Sequence, residues 1–281
     1  MSQSYIHPKR KTKVVFVQLG SPSEPTTKAL RQYLRKFLGD PRVVDINPWL
    51  WKIILNFFVL PFRPSKSAKL YARIWDGRSF PLITNTRDFT KKVSDELKKI
   101  DPEGYVEINH AFLLSPPYVN EVYDSWEEDL KKGVGATKLL VIPMFPQYSE
   151  STIASGIDAL AKELSKRVKI PTFEVITNFH RTHAFIDNSV FQVDKKLDEL
   201  IKQGKKIDNL IITFHGMQKR RIVNKGDDYY RHCYETFCLI TNKLKNIKPD
   251  QCMMSFQSRF GSEEWITPYT EEVVKKLISE G

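Results

Sequence analysis

Residues 13–21 read KVVFVQLGS, a run of apolar residues that passes directly into a glycine. A strand that is buried on both faces of a sheet has a continuous apolar run of this kind. Residues 139–142, LLVI, form a second such run. The two runs predict strands of a parallel sheet. Gly20 would let the backbone approach a ligand, but taken alone it is interpreted as a plain strand-to-helix turn.

Short apolar segments alternate with longer amphipathic segments along the whole chain. The predicted strands are 13–19, 106–113, 138–143, 172–177, 209–214 and 252–256. The predicted helices are 26–38, 48–60, 67–75, 86–99, 119–132, 152–167, 182–203, 230–244 and 270–279. Alternating strands and helices are typical of a parallel sheet that is covered by helices on both faces. The sequence therefore predicts an α/β fold.

Two units of this kind are predicted, because each half of the chain has a strand that runs into a glycine turn and then a helix. The glycines are Gly20 and Gly216. The first Rossmann-like unit is predicted over 13–155 and the second over 156–281. Residues 1–12 are polar and basic and lack the apolar core of a secretory signal, so they predict a disordered arm of a cytoplasmic protein.

Composition excludes several functional classes. The chain has 281 residues, a formal net charge of +11 and three cysteines. Three cysteines without C-x-x-C spacing argue against a disulfide framework or a zinc module, and they are too few for a four-cysteine iron–sulfur cluster. No stretch reaches the roughly 20 apolar residues of a membrane-spanning helix. The charge suits an acidic partner, but no nucleic-acid-binding motif is present, and scattered lysines are typical of a solvated surface.

The loops that follow strands are where ligands of doubly wound sheets bind. The loop at 143–155 contains Tyr148 and four hydroxyl residues, more than the capping of one helix requires, and a helix N-terminus favours anions. His215 lies at the tip of a predicted strand, just before Gly216. It could accept a proton or bind a metal, and a core histidine bonded to backbone is the other interpretation.

Residues 48–62 are apolar nearly all round and are bounded by prolines. The segment is too short to span a bilayer and too apolar for an ordinary surface helix. It is either buried, or it forms an apolar lip for a large flat ligand or a membrane surface. Arg63 follows at once and is placed to pair with an acidic group at the edge of that lip.

An ordered series of motifs resembles the ferrochelatase family. The motifs are VQLGSP at 17–22, RQYLRKFLGDPRVV at 31–44, YARIW at 71–75, PQYS-x-ST at 146–152, FHG at 214–216, GDDY at 226–229, SFQSRFG at 255–261 and WITPYT at 265–270. The resemblance extends over about 13–281. It implies two chelatase-like Rossmann domains around a cleft, and insertion of Fe²⁺ into protoporphyrin IX to form protoheme. The serine-rich loop is similar to that of the protoporphyrin-using branch.

The resemblance also implies roles for single residues. His215 matches the family's active-site histidine, which accepts a pyrrole proton and contacts the metal. Arg63 matches an arginine that binds a porphyrin propionate. Four further positions match residues that line the pocket: Leu19, Tyr148, Ser151 and Thr152. No cofactor is implied beyond the ferrous substrate, and the lip beside a basic surface implies peripheral contact with the inner face of a membrane.

Two departures from the family pattern are expected to matter. An Arg-Tyr pair of the family is replaced by Phe112 and Leu113, which would turn a polar wall contact into apolar surface. The family pattern also continues past residue 281 with a strand, a loop that carries an essential glutamate and a helix, so the second unit is expected to lack its last strand and helix. The alternative to an active enzyme is therefore a catalytically impaired, porphyrin-binding relative. A soluble α/β domain with an unrelated ligand is a third hypothesis, which the ordered motifs disfavour.

Overall fold

The computed structural model describes residues 11–133 and 135–280. Most of the arm predicted at 1–12 lies outside this part of the chain, and Thr12 already belongs to the first strand. Contacts divide the chain into two compact units. Unit 1 contains the described residues up to Phe145 together with Glu150–Thr177, and unit 2 contains Pro146–Ser149 and the described residues from Asn178 onward.

Unit 1 is built on a parallel sheet of four strands in the order β2-β1-β3-β4. The strands are β1 (Thr12–Gln18), β2 (Val106–Phe112), β3 (Lys138–Pro143) and β4 (Thr172–Val175). All three pairings are parallel, and Val14 of β1 lies level with Ile108 and Leu140. The predicted α/β class and its parallel sheet are confirmed.

Helices cover both faces of this sheet. They are α1 (Thr27–Leu38), α2 (Pro48–Ile54), α3 (Arg63–Tyr71), α4 (Pro81–Ile100), α5 (Val119–Lys131) and α6 (Ser155–Leu164). Val15 and Val17 pack in one cluster with Trp126 of α5 and Leu160 of α6. Phe16 points the other way and meets Phe89 of α4 at 5.2 Å between ring centroids. Successive side chains of a strand face opposite sides, so the five central residues of β1 are buried on both faces of the sheet.

The boundary between the units falls later than the sequence predicts. Contacts place the division after Thr177 rather than after residue 155. Strand β4 pairs with β3, and Leu160 and Leu164 of α6 belong to the apolar cluster of unit 1. The alternation of strands and helices does not tell which sheet a strand joins, so the predicted boundary was too early.

Unit 2 contains two parallel strands, β5 (Leu210–His215) and β6 (Cys252–Gln257). Its helices are α7 (His183–Lys202), α8 (Lys219–Lys225), α9 (Tyr229–Thr241) and α10 (Thr270–Glu280). Met217, Cys233, Phe256 and Ile266 form the buried cluster beside β6. The short basic helix α8 was not predicted, because seven residues give too little apolar periodicity.

Short helices of other kinds interrupt the regular elements. Leu55–Val59 and Glu150–Ala154 are π-helical, and Ala72–Ile74 and Pro249–Gln251 are 3₁₀-helical. Short π-helical segments are rare and occur frequently at functional sites. Among the described helices, none is both long enough and apolar enough to cross a membrane.

Candidate active site

The predicted site residues are divided between the two units. Leu19, Arg63, Ser151 and Thr152 belong to unit 1, and Tyr148 and His215 belong to unit 2. Leu19 and His215 lie at the carboxyl ends of β1 and β5, where ligands of parallel sheets bind.

His215 is the last residue of β5, and its side chain is exposed. Burial of part of the ring nevertheless lowers the pKa of the imidazole below its ordinary value of 6.5. The hydroxyl of Tyr229 lies in hydrogen-bonding contact with the backbone of His215. A neutral imidazole at neutral pH carries a free lone pair, so it can accept a proton or bind a metal ion.

Gly216 is required directly after this histidine. A Cβ atom there would lie 2.8 Å from the carbonyl oxygen of Gln257 and 2.9 Å from the ring of Trp265. The Gly216 N–H donates to that same carbonyl at 2.7 Å. The end of β5 is therefore packed so closely against β6 and Trp265 that only glycine fits, and this packing fixes the position of His215.

Tyr148 lies in the loop Pro146–Ser149, which packs against unit 2. Its side chain is half-buried, and its backbone N–H donates to Nδ1 of His232 at 3.1 Å. The side chain of Gln147 donates to Oγ1 of Thr236 at 3.0 Å. Both partners lie on α9, so this helix determines where the loop is held.

Ser151 and Thr152 lie half-buried on the π-helix Glu150–Ala154. Arg42 fixes this region of unit 1: its guanidinium bonds Asp158 at 2.7 Å and lies 3.8 Å from Glu150. The hydroxyl of Ser155 donates to the carboxylate of Asp40. These contacts join the loop after α1 to both ends of the π-helix. The contacts at both ends of the π-helix therefore hold Ser151 and Thr152 in place.

Leu19 lines a cavity of about 290 Å³ within unit 1, together with Leu113 and Leu114. Phe112 is fully buried and contacts the ring of His110 at 5.6 Å between centroids. Of the two residues predicted to replace a polar wall contact, only Leu113 therefore offers any surface. The expectation that Phe112 forms part of an apolar wall was wrong, because its side chain points into the core.

The segment 48–62 has one buried and one exposed side. Leu55 and Leu60 are buried against Tyr33 and Leu34 of α1. On the other side four aromatic side chains are more than half exposed: Trp49 (75%), Phe57 (70%), Phe62 (67%) and Phe58 (65%). We call these four side chains the lip. The segment is therefore anchored in the core by one side and exposes the lip on the other, while the ligand or membrane surface for the lip stays a prediction. Arg63 follows it, exposed at the start of α3.

Asn47 explains why the helix that carries Trp49 begins where it does. Its side-chain oxygen accepts the N–H groups of Trp49 at 3.1 Å and of Leu50 at 3.2 Å. Pro48 occupies the first turn, where its missing N–H costs nothing. This cap fixes the direction of α2 and holds Trp49 on the outside.

A buried histidine pair was missed by the sequence analysis. His180 and His232 stack with 3.9 Å between ring centroids and 20° between ring planes. Nε2 of His180 lies 2.7 Å from the carboxylate of Glu235. The two histidines are far apart in the sequence, in segments that carry no spacing signal, so only the fold brings them together.

Within residues 11–133 and 135–280, no group of three or more histidine, cysteine, aspartate or glutamate side chains could hold a metal ion. In the described part of the chain, the predicted metal contact is therefore the single imidazole of His215.

Parallel sheets covered by helices, with a neutral histidine at the end of one strand, are typical of α/β enzymes that bind ligands beyond their strand ends. Comparison with known proteins identifies the family within this class. The ferrochelatase family model matches residues 11–281. The chain is 40% identical to the ferrochelatase of Idiomarina loihiensis over 95% of this chain and 70% of that protein. It is 37% identical to the ferrochelatases of Actinobacillus pleuropneumoniae serotype 5b and Proteus mirabilis, each time over 95% of this chain and 78% of the relative.

The chain belongs to the ferrochelatase family. The predicted family and activity are thereby confirmed: it is an enzyme of heme biosynthesis whose substrates are a porphyrin and ferrous iron. Nothing in these similarities favours the catalytically impaired alternative.

Proposed function

We propose that this chain inserts Fe²⁺ into protoporphyrin IX with His215 as the proton acceptor. The reaction converts Fe²⁺ and the free-base porphyrin into protoheme and two protons. The observation that carries this assignment is the lowered pKa of His215, an exposed imidazole at the carboxyl end of β5. Because the ring is neutral at neutral pH, it can take up a pyrrole proton as the metal enters.

The remaining predicted residues supply the binding surface in this proposal. The macrocycle is flat and apolar, and the lip and Leu19 offer apolar surface of the matching chemistry. Tyr148, Ser151 and Thr152 offer hydroxyl groups at its rim. Arg63, at the end of the lip segment, would pair with a propionate, since a guanidinium matches a carboxylate with two parallel hydrogen bonds.

The proposed reaction uses no cofactor other than its ferrous substrate. The three cysteines are Cys233 and Cys238 on α9 and Cys252 at the start of β6, and two of them are buried. Burial raises the pKa of the Cys233 thiol to about 12, so at neutral pH it is protonated rather than a thiolate ligand.

We propose further that the chain works in the cytoplasm, in peripheral contact with the inner face of the membrane. The exposed aromatic rings of the lip would enter the headgroup region of a bilayer. Lys52 lies within the lip segment, Lys66 follows it, and the chain has a formal net charge of +11, so an anionic leaflet would attract it. A contact of this kind would bring an apolar porphyrin from the bilayer to the site.

The experiment that tests the activity is anaerobic insertion of Fe²⁺ into protoporphyrin IX, followed by porphyrin absorption and fluorescence. The unmodified chain is expected to turn over, and His215→Ala to lose activity by roughly a hundredfold or more, as removal of a general base does. His110→Ala is the matched control. Burial lowers the pKa of His110 as it does that of His215, but His110 lies in β2 of unit 1, away from β5 in the chain. Equal loss in both variants would contradict the role of His215.

A further inference from the structure

Three successive residues of the loop that carries Tyr148 form hydrogen bonds with the rest of unit 2. The carbonyl of Pro146 accepts the N–H of Phe179 at 3.0 Å, and the side chain of Gln147 donates to Thr236 at 3.0 Å. The N–H of Tyr148 donates to Nδ1 of His232 at 3.1 Å. Of the three acceptors, only the imidazole of His232 changes its charge near neutral pH.

His232 is buried, with 4% of its surface exposed, and it stacks on His180, which precedes α7 and is 2% exposed. Three charged groups of its own helix surround the pair. Nη2 of Arg231 lies 3.2 Å from Nε2 of His232, and the same guanidinium bonds Asp228 and Glu235. Glu235 also bonds Nε2 of His180. From the segment before α7, Nε of Arg181 lies 3.8 Å from the same carboxylate, so a second guanidinium lies beside the histidine pair.

The hydrogen bond from Tyr148 requires one tautomer of the neutral His232 ring. Nδ1 can accept an N–H only when it carries no hydrogen, so the ring that makes this bond has its hydrogen on Nε2. Nη2 of Arg231 is itself a donor, so in this tautomer it makes no hydrogen bond to Nε2 although it lies 3.2 Å away. Burial first, and then His180 and Arg231, lower the pKa of His232 and favour this neutral form. Once the ring is protonated, an N–H of the imidazole faces the N–H of Tyr148, and the hydrogen bond is replaced by the repulsion of two donors.

We propose that His232 is a positioning residue for the porphyrin: its neutral imidazole holds the Tyr148 loop in the binding geometry, and protonation releases the loop. This inference rests on the proposed contact of Tyr148 with the porphyrin. His232 touches no substrate in this scheme and acts through the backbone of Tyr148. It gives the porphyrin affinity a dependence on pH that is separate from the proton acceptor, His215.

Three substitutions separate the hydrogen bond from the bulk of the side chain. In His232→Asn the amide oxygen can occupy the position of Nδ1 and accept the Tyr148 N–H, but it does not titrate. In His232→Gln the acceptor moves to the position of Nε2, on the wrong side of the ring. His232→Ala removes the acceptor and also opens a cavity, so the comparison of Asn with Gln decides the case even if the alanine variant does not fold.

The measurement is the Kd of protoporphyrin IX by fluorescence titration, from about pH 8 to about pH 5, across the ordinary histidine pKa. The Asn variant is expected to match the unmodified chain at about pH 8. The unmodified chain should then weaken relative to the Asn variant on acidification, by roughly fivefold to tenfold, the size of one hydrogen bond. The Gln variant should be weaker by a similar factor at every pH, with KM for porphyrin raised and kcat little changed.

Parallel loss of affinity by the unmodified chain and the Asn variant would overturn the inference, since titration of the propionates would then explain the pH dependence. Equal affinity of the Asn and Gln variants at about pH 8 would overturn it as well. Absence of porphyrin binding by the unmodified chain at that pH would instead contradict the proposed function, and this inference with it.

Discussion

In the proposed reaction, the imidazole of His215 must be unprotonated to accept a pyrrole proton. Burial lowers its pKa, so the ring stays neutral at the ordinary histidine pKa of 6.5 and above, and activity is lost only as the pH falls through the lower value. We expect the acid limb of kcat/KM for ferrous iron to be centred below pH 6.5. Initial rates between about pH 5 and about pH 8 measure it. A limb centred above 6.5 would show that another group limits the rate.

Gly216 and Gly156 make a matched pair of glycine substitutions. Gly216→Ala places a methyl group 2.8 Å from a carbonyl oxygen, whereas the nearest atom to a Cβ at Gly156, in α6, is 3.9 Å away on Leu113. We expect Gly216→Ala to lower the free energy of unfolding by about 1–3 kcal/mol and to reduce activity by displacing His215. Gly156→Ala should leave stability unchanged or raise it by up to about 1 kcal/mol.

Urea unfolding curves and initial rates, measured on the same preparations, test both glycine substitutions. If Gly216→Ala is as stable and as active as Gly156→Ala, the end of β5 is not packed too closely for a side chain at residue 216.

The position of His215 at the end of a strand could be predicted from the sequence, but the stacked pair of His180 and His232 could not. His215 follows an apolar strand and precedes a glycine, so periodicity alone places it at a strand end. The pair of His180 and His232 depends on the packing of α9 against the segment before α7. Contacts between segments that are distant in the sequence leave no periodic signal in either of them.

The strands were predicted closely, whereas α3 and α4 begin four and five residues before their predicted starts at 67 and 86. Strand β3 was predicted with the observed bounds, and the other five strands differ by one or two residues at one or both ends. Helix α8 was not predicted, because its seven residues, KRRIVNK, are mostly basic and form no apolar pattern. The π-helical segments could not be predicted either, since a shift from i+4 to i+5 hydrogen bonds does not change composition.

The lip consists of large aromatic side chains that are exposed to solvent, although side chains of this type are usually buried. Trp49 and Phe57 are 75% and 70% exposed, although burying such side chains stabilises a protein by about 1.5–3 kcal/mol each. We expect Trp49→Ser with Phe57→Ser to leave the free energy of unfolding nearly unchanged and to weaken both porphyrin binding and flotation with anionic liposomes, each by roughly tenfold or more.

Val168→Ser is the control for the lip variant, because Val168 is fully exposed in unit 1 but lies outside the lip. Vesicles of neutral lipid provide the control for charge. If the lip variant binds porphyrin and vesicles as the unmodified chain does, the lip has neither proposed role.

At the scale of the whole molecule, the sequence predicted two α/β units but placed their boundary too early. The strand at Thr172–Val175 has exposed side chains along most of its length and joins the sheet of unit 1 only at its edge. Nothing in its composition distinguishes an edge strand of the first sheet from the first strand of a second sheet. The order of strands in a sheet depends on which strands pair, and the residue pattern within one segment does not identify its partner.

The exposure of Trp49 also affects the intrinsic fluorescence of the protein. Of the five tryptophans, Trp126 and Trp265 are buried, Trp51 and Trp75 are half-buried, and only Trp49 is largely exposed to solvent. Its emission therefore responds to the polarity around the lip, whereas the emission of the two buried indoles does not. Tryptophan emission overlaps the strong absorption band of a porphyrin, so a macrocycle docked at the lip would quench this residue by energy transfer. The chain thus contains its own fluorescent donor for watching substrate arrive and product leave, without an attached dye.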